Sequence, residues 1–268
     1  MKKILISLIL APFLACWLLP AVAGSACSEK IPAPETVQKS FQLAVKTRDA
    51  LDATGAQVAL VARVGQDLSQ YHLRFSHMAF VWRDHPQGRW LVIHELNQCG
   101  TAESALYNEG LANFFFDDMF AWDALIITPS EELQAKIVSR LQNPGQLESM
   151  HEARYNMVAY PFSTRYQNSN QWVLEVLADA MRDAHNAHRA QSQTWLKQNG
   201  YKPSILHILA LQRLAGRLFK ANVAFDDHPN GDRFAGNIAV VSVDSVADFM
   251  QQRDVKSSSQ TLSLQLTP

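Results

Sequence analysis

The chain has 268 residues, of which 47% are hydrophobic and 18% charged, and its formal net charge is −1. A chain of this size buries about 70–75% of its unfolded surface, and the composition excludes disordered and collagen-like classes. The absence of a basic surplus excludes a generic electrostatic nucleic-acid binder.

The first residues set the compartment. Lys2 and Lys3 precede an apolar run from Ile4 to about Leu19, followed by Ala21-Val22-Ala23. This is a positive region, an apolar region and a small-x-small cleavage site, the pattern of a secretory signal peptide. As a membrane span the run is short of about 20 residues, and Pro12 and Pro20 interrupt it. Cleavage after Ala23 leaves 268 − 23 = 245 residues and takes the charge from −1 to −3. The expected location is the periplasm, with no stable membrane span after cleavage. A lipoprotein is the alternative, since Cys16 and Cys27 both follow Ala, although Gly24-Ser25-Ala26 lacks the large aliphatic residue that usually precedes a lipidated Cys. Export exposes thiols to an oxidising environment. Cys27 and Cys99 are the two cysteines left, and a bridge between them would close a loop of 99 − 27 = 72 residues. The chain-entropy model assigns such a loop about 4 kcal/mol. The alternative is two free, buried thiols.

Spacing and breakers predict the elements that follow. Glu35 to about Ala53 is an amphipathic helix, with Val37, Phe41, Leu43, Ala44 and Leu51 near helical spacing. Val58–Val64 is a strand. Phe75–Trp82 and Arg89–Leu96 are two more, joined through Pro86 and Gly88 as an antiparallel hairpin. Leu125–Thr128 is a short strand. Ser130 caps a helix to Leu141 with Glu131 and Glu132 in its first turn, and Asn143-Pro144-Gly145 stops it. Met157–Pro161 is a strand, Gln171 to about Trp195 a long helix, Ile205–Phe219 a further helix, Ile238–Val243 a strand and Ser245–Gln251 a short helix. A Ser- and Gln-rich tail from Lys256 has no periodicity and is expected to be loose. Strands and helices do not alternate one to one, which predicts a single α+β domain over residues 24–255 rather than a doubly wound sheet.

The common fingerprints for nucleotides, zinc proteases and serine hydrolases are absent, and the three Cys form no C-x-x-C pair. Neither a metal nor another cofactor is implied. Asp226-Asp227-His228 with Asp232 has hard-ligand spacing, but Pro229-Asn230-Gly231 makes it a turn. His185 and His188 read as a solvated helix face, and Asp117-Asp118 as the polar end of an aromatic core segment.

Three stretches stand together: Ser76-His77-Met78-Ala79-Phe80, Val92-Ile93-His94-Glu95 and Asn168-Ser169-Asn170-Gln171-Trp172-Val173. They resemble, in order, the histidine strand, the orienting strand and the nucleophile helix of the permuted papain-like superfamily, which includes the NlpC-type and lecithin–retinol-acyltransferase-type hydrolases. The wider chain resembles an exported bacterial family, domain of unknown function 2145, through Cys99-Gly100-Thr101, Glu109-Gly110-Leu111-Ala112-Asn113-Phe114-Phe115 and Tyr166–Val173.

The resemblance implies an α+β fold with an antiparallel sheet packed against a long helix. It implies His77 as base, His94 or Glu95 as its orienter, and Ser169 in the nucleophile's place. Asn168, Gln171 and Trp172 would line the groove. The superfamily's nucleophile is Cys, whereas this chain has Ser169. A helix N-terminus is worth up to about 2 kcal/mol to an anion, about 1.5 pKa units. That suffices for a thiol but not for an alcohol. The expectation is therefore a catalytically dead domain that holds an envelope peptide, glycan or lipid headgroup. The alternative is an amide or ester hydrolase, or an acyltransferase, in which His77 deprotonates Ser169 directly. From residues alone, Asn168 at the N-cap and Gln171 at N3 also fit a capping box that leaves Ser169 a first-turn polar residue.

Overall fold

The computed structural model describes residues 32–117, 119–182 and 188–264. Signal cleavage, Cys16, Cys27, Asp118 and His185 fall outside them. Helix α1 spans Pro34–Thr54, with Pro at its start, Glu35 in its first turn and Gly55 closing it at φ 70°. Strands β1 (Val58–Val64), β2 (His77–His85) and β3 (Gly88–Asn97) follow, then β4 (Ser104–Glu109), α2 (Leu111–Phe114) and β5 (Ala121–Thr128). Pro86-Gln87 is the whole loop of the β2–β3 hairpin, because His85 pairs with Gly88.

Helix α3 (Glu131–Leu141) is capped by Ser130, whose hydroxyl accepts from the Leu133 amide. Asn143 ends it and caps the next helix, α4 (Pro144–Ser149). Then come α5 (Ser169–Met181), α6 (Arg189–Gln198), β6 (Ser204–His207), α7 (Ala210–Phe219), α8 (Asn230–Ala235), β7 (Asn237–Val240), α9 (Val243–Arg253) and β8 (Ser258–Ser263).

Six strands form one antiparallel sheet in the order β4-β3-β2-β1-β5-β8, and β6 pairs with β7 in a two-stranded ribbon. The fold is α+β. Both faces of the central strands are covered. Every residue of β1 is buried, as is every residue from His77 to Trp82 in β2. On one face Ala59, Val61, Ala79, Val81 and Val92 pack with Leu43 and Leu51 of α1 and with Leu111 and Phe114 of α2. On the other, Leu60, Ala62, Met78, Phe80 and Ile93 pack with Trp172, Val173 and Val176 of α5, Ile137 of α3 and Phe249 of α9. Helix α5 is the central rod of that side, with twelve of its thirteen residues buried.

Several expectations need correction. The long helix is two helices, α5 and α6. Residues 157–161 form turns rather than a strand, and Ile205–Phe219 divides into β6 and α7. The segment expected to be loose contains β8, hydrogen-bonded along β5 from Thr128↔Ser258 to Asp123↔Ser263. Edge pairing uses backbone groups that any polar sequence carries, so β8 needs no apolar pattern. Among the described residues no helix is long and apolar enough to cross a membrane.

Candidate functional site

Successive residues of a strand point to opposite faces, and this parity divides the four residues expected to form one site. His77 shares a face with Ala79 and Val81, and His94 with Val92, so both look toward α1 and α2. Glu95 lies on the face of Ile93, toward α5.

The two histidines meet. His77 Nε2 and His94 Nδ1 are 2.8 Å apart, and both rings stand 5.7 Å from the Phe114 ring. His94 Nε2 lies 3.0 Å from Glu109 Oε1, close but off the N–H axis. A proton on His94 Nε2 facing that carboxylate leaves Nδ1 as acceptor and His77 Nε2 as donor. Arg63, paired across the ladder with His77, donates to the Phe114 carbonyl and, at 2.6 Å, to Asp117 Oδ2. Its guanidinium carbon sits 4.9 Å from the Phe114 ring centroid. Burial pushes His77 well below the usual histidine range, and the nearby Arg63 charge adds to this. Burial also lowers His94, against the pull of Glu109. The pair is therefore neutral near neutrality. Among the described residues no hydroxyl is hydrogen-bonded to either ring nitrogen of His77; its polar partner is His94.

Ser169 lies on the α5 side. Asn168 is the N-cap of α5, its side chain accepting from the Gln171 amide at 2.8 Å, which puts Ser169 at the first helical position. The capping box is half-made, because the Gln171 amide group turns inward to the Pro161 carbonyl at 3.3 Å and to Glu175 Oε1 at 3.1 Å. Asn170 anchors this turn to the sheet: its Oδ1 accepts from the Met78 amide at 2.9 Å, and its Nδ2 donates to the Ser76 carbonyl at 3.2 Å. The helix start is thus docked on both sides of His77 along the backbone, while the His77 ring leaves through the opposite face.

The partners of Ser169 are others. It lies beside Tyr155, whose pKa burial pushes up to about 12, with Ser169 opposing the rise and Glu95 adding to it. Burial raises Glu95 to about 8, so it carries a proton at neutral pH. The Ser104 hydroxyl beside it opposes the rise. Ser104 Oγ in turn lies 3.0 Å from His151 Nε2. Glu95, Tyr155, Ser169, Ser104 and His151 thus make a neutral cluster of donors and acceptors between β3, β4 and the start of α5.

Asn168, Gln171 and Trp172, expected to line a groove, are buried instead. Trp172 packs edge-on against Phe80 with ring centroids 5.8 Å apart. Two shallow surface cavities, of about 460 Å³ on α1 and about 330 Å³ on α6, touch none of the expected site residues. Asp226, Asp227 and His228 are held by Arg165, by the Tyr160 amide and by the Val158 carbonyl respectively. Among the described residues no group of three or more acidic, His or Cys side chains is arranged to hold a metal ion. Cys99 sits in the exposed turn between β3 and β4.

A family model described as an uncharacterized protein conserved in bacteria, DUF2145, matches residues 50–250. The chain belongs to the DUF2145 family. That match spans β1 to α9 and so contains both the histidine array and the Ser169 cluster. No curated protein and no solved structure matches the chain.

Sequence reasoning missed Arg63, Glu109, Tyr155, Ser104 and His151. Arg63 carried a usable signal, a lone cation in an otherwise apolar strand that pairs with the histidine strand. Tyr155, Ser104 and His151 lie in turns or at a strand end, where no periodicity marks them.

Proposed function

We propose that this DUF2145 protein is an exported, non-hydrolytic binding domain of the cell envelope, built on a permuted papain-like scaffold. The observation that carries the reading is the environment of Ser169. Ser169 lies beside Tyr155, which is itself close to a protonated Glu95. A serine nucleophile needs a base at its oxygen, and a carboxylic acid that already holds its proton cannot take another. The docking of the α5 start onto β2 through Asn170 supports the scaffold, and the N-terminal sequence pattern supports export.

The chemistry of the cluster favours one class of ligand. Hydroxyls, a phenol and a neutral carboxylic acid suit a neutral polar group, such as a glycan hydroxyl or a peptide amide, better than a phosphate. The test has two arms. Soluble peptidoglycan fragments should raise the Tm of the parent and not of Tyr155→Phe/Ser169→Ala. A fluorophosphonate probe should leave the protein unlabelled by mass. An adduct at Ser169 or Ser104 would overturn the reading in favour of a serine hydrolase, and equal Tm shifts in parent and variant would move the ligand elsewhere.

A further inference from the structure

Helix α7 inverts the usual arrangement of a surface helix. Amphipathic helices of globular proteins turn their apolar stripe to the core, yet α7 has no buried residue. Its leucines at 211, 214 and 218 recur at spacings of three and four, which puts them on one side of the helix. They are 77%, 55% and 55% exposed, and Leu209 and Phe219 at the two ends are 70% and 68% exposed. The inner side is carried by Gly216, where an added Cβ would lie 3.3 Å from Val223 and 4.0 Å from Phe225. At 100° per residue Leu214 and Leu218 are each displaced about 160° from Gly216. The helix therefore rests on the small β6–β7 core through a glycine and presents leucine outward.

The chain on either side of it in sequence carries charge of one sign. Residues 184–225 contain no Asp or Glu but include Arg189, Lys197, Lys202, Arg213, Arg217 and Lys220, in a chain whose net charge is −1. Arg189 is engaged by Glu175, and Arg213 donates to the Ile208 carbonyl at 2.6 Å. Lys202, Arg217 and Lys220 are exposed. An outward apolar stripe with cations at its border is the pattern that lies in the headgroup region of a bilayer, and the cations match anionic lipid.

We infer that α7 docks the protein on the surface of an anionic phospholipid bilayer, with Leu211, Leu214 and Leu218 inserted among the acyl chains and Arg217 and Lys220 against the headgroups. This is independent of what the Ser169 cluster binds.

The test is cosedimentation of the full chain with vesicles of equal parts phosphatidylglycerol and phosphatidylcholine, and with vesicles of phosphatidylcholine alone. The parent should bind the anionic vesicles more tightly. Leu211→Gln/Leu214→Gln/Leu218→Gln should lose about tenfold or more on the anionic vesicles. Arg217→Glu/Lys220→Glu should lose binding to the anionic vesicles and leave that to phosphatidylcholine unchanged. All variants carry the same N-terminus, so the differences belong to α7, and all altered positions are exposed, so folding is expected to persist and is checked by circular dichroism. Undiminished binding in the triple variant would overturn the inference. So would a parent that binds neither vesicle but forms a dimer, by light scattering, that the triple substitution dissolves. That result would assign the face to a second copy of the chain.

Discussion

Glu95 is a buried carboxyl with a raised pKa, and replacing it with glutamine should stabilise the protein in a pH-dependent way. Its ordinary pKa is 4.5, and burial raises it to about 8. Neither of its oxygens has a well-formed hydrogen bond among the described residues, and the Ser104 hydroxyl and the Arg189 charge offset only part of the cost of burial. A pKa raised on folding stabilises below the unfolded value, and the contribution is lost as pH rises toward the folded value. Glu95 therefore costs almost nothing near pH 4.5. At pH 7 the cost is 1.36 kcal/mol times the 2.5 units between 7 and 4.5, about 3 kcal/mol. Above pH 8 it levels off at about 5 kcal/mol. Glutamine has the shape of the protonated acid and cannot ionise. In urea unfolding at about pH 5, 6, 7 and 8, the stability of Glu95→Gln minus that of the parent should climb by about 1.4 kcal/mol per pH unit through the middle of the range. Parallel stability curves, or a variant less stable than the parent at pH 7, would refute a buried, proton-holding Glu95.

His77 and His94 have folded pKa values below the ordinary 6.5, so the unfolded chain takes protons first and the parent should lose stability as pH falls below about 6.5. His94→Gln should flatten that loss between about pH 7 and 5, and an unchanged slope in urea unfolding counts against the neutral pair. Arg189→Met removes the cation 2.7 Å from Glu175, which is wholly buried, and should cost about 3–5 kcal/mol. Adding Glu175→Gln should recover most of it, and additive losses in the double variant would show that the pair is not coupled. Cys27 and Cys99 should be bridged in exported protein, and two titrating thiols in the unfolded, unreduced chain would exclude this.

How far the sequence discloses the fold depends on burial. Helices α1 and α3 and strands β1 to β3 were legible because caps, breakers and apolar runs coincide there. Strands β4 and β8 were not. They are edge strands with mixed or polar sequences, Ser-Ala-Leu-Tyr-Asn-Glu and Ser-Ser-Gln-Thr-Leu-Ser, and their pairing is a matter of backbone hydrogen bonds. The α5–α6 division was hidden because apolar spacing continues on both sides of it. The site was half legible. His77 with His94, and Ser169 at a helix start docked on the histidine strand, are both present. Which way His77 points was unreadable for a physical reason: strand β2 is buried on both faces from His77 to Trp82, so no polar alternation marks the side on which α5 packs.

That parity gives the last prediction. Were His77 aimed at the start of α5, Ser169→Cys would create an activated thiolate, stabilised by the helix terminus and by an imidazolium. The geometry supplies only the first of these. A helix N-terminus contributes up to about 2 kcal/mol, or about 1.5 pKa units, toward the thiolate. Residue 169 is 6% exposed, and a buried thiol is pushed the other way. Its neighbour Tyr155 offers one hydroxyl, and Glu95 is neutral until about pH 8 and negative above it, which further opposes a thiolate. The variant thiol should therefore titrate at or above the ordinary value of about 8.5 and alkylate slowly near neutral pH. Adding His77→Ala should leave its rate unchanged, because that ring lies across the sheet. Adding Glu95→Gln should speed alkylation only above about pH 8, where the carboxylate would otherwise repel the thiolate. A thiol that titrates well below 8.5 and reverts on His77→Ala would place the imidazole at residue 169, and the division of the site into two faces would be wrong.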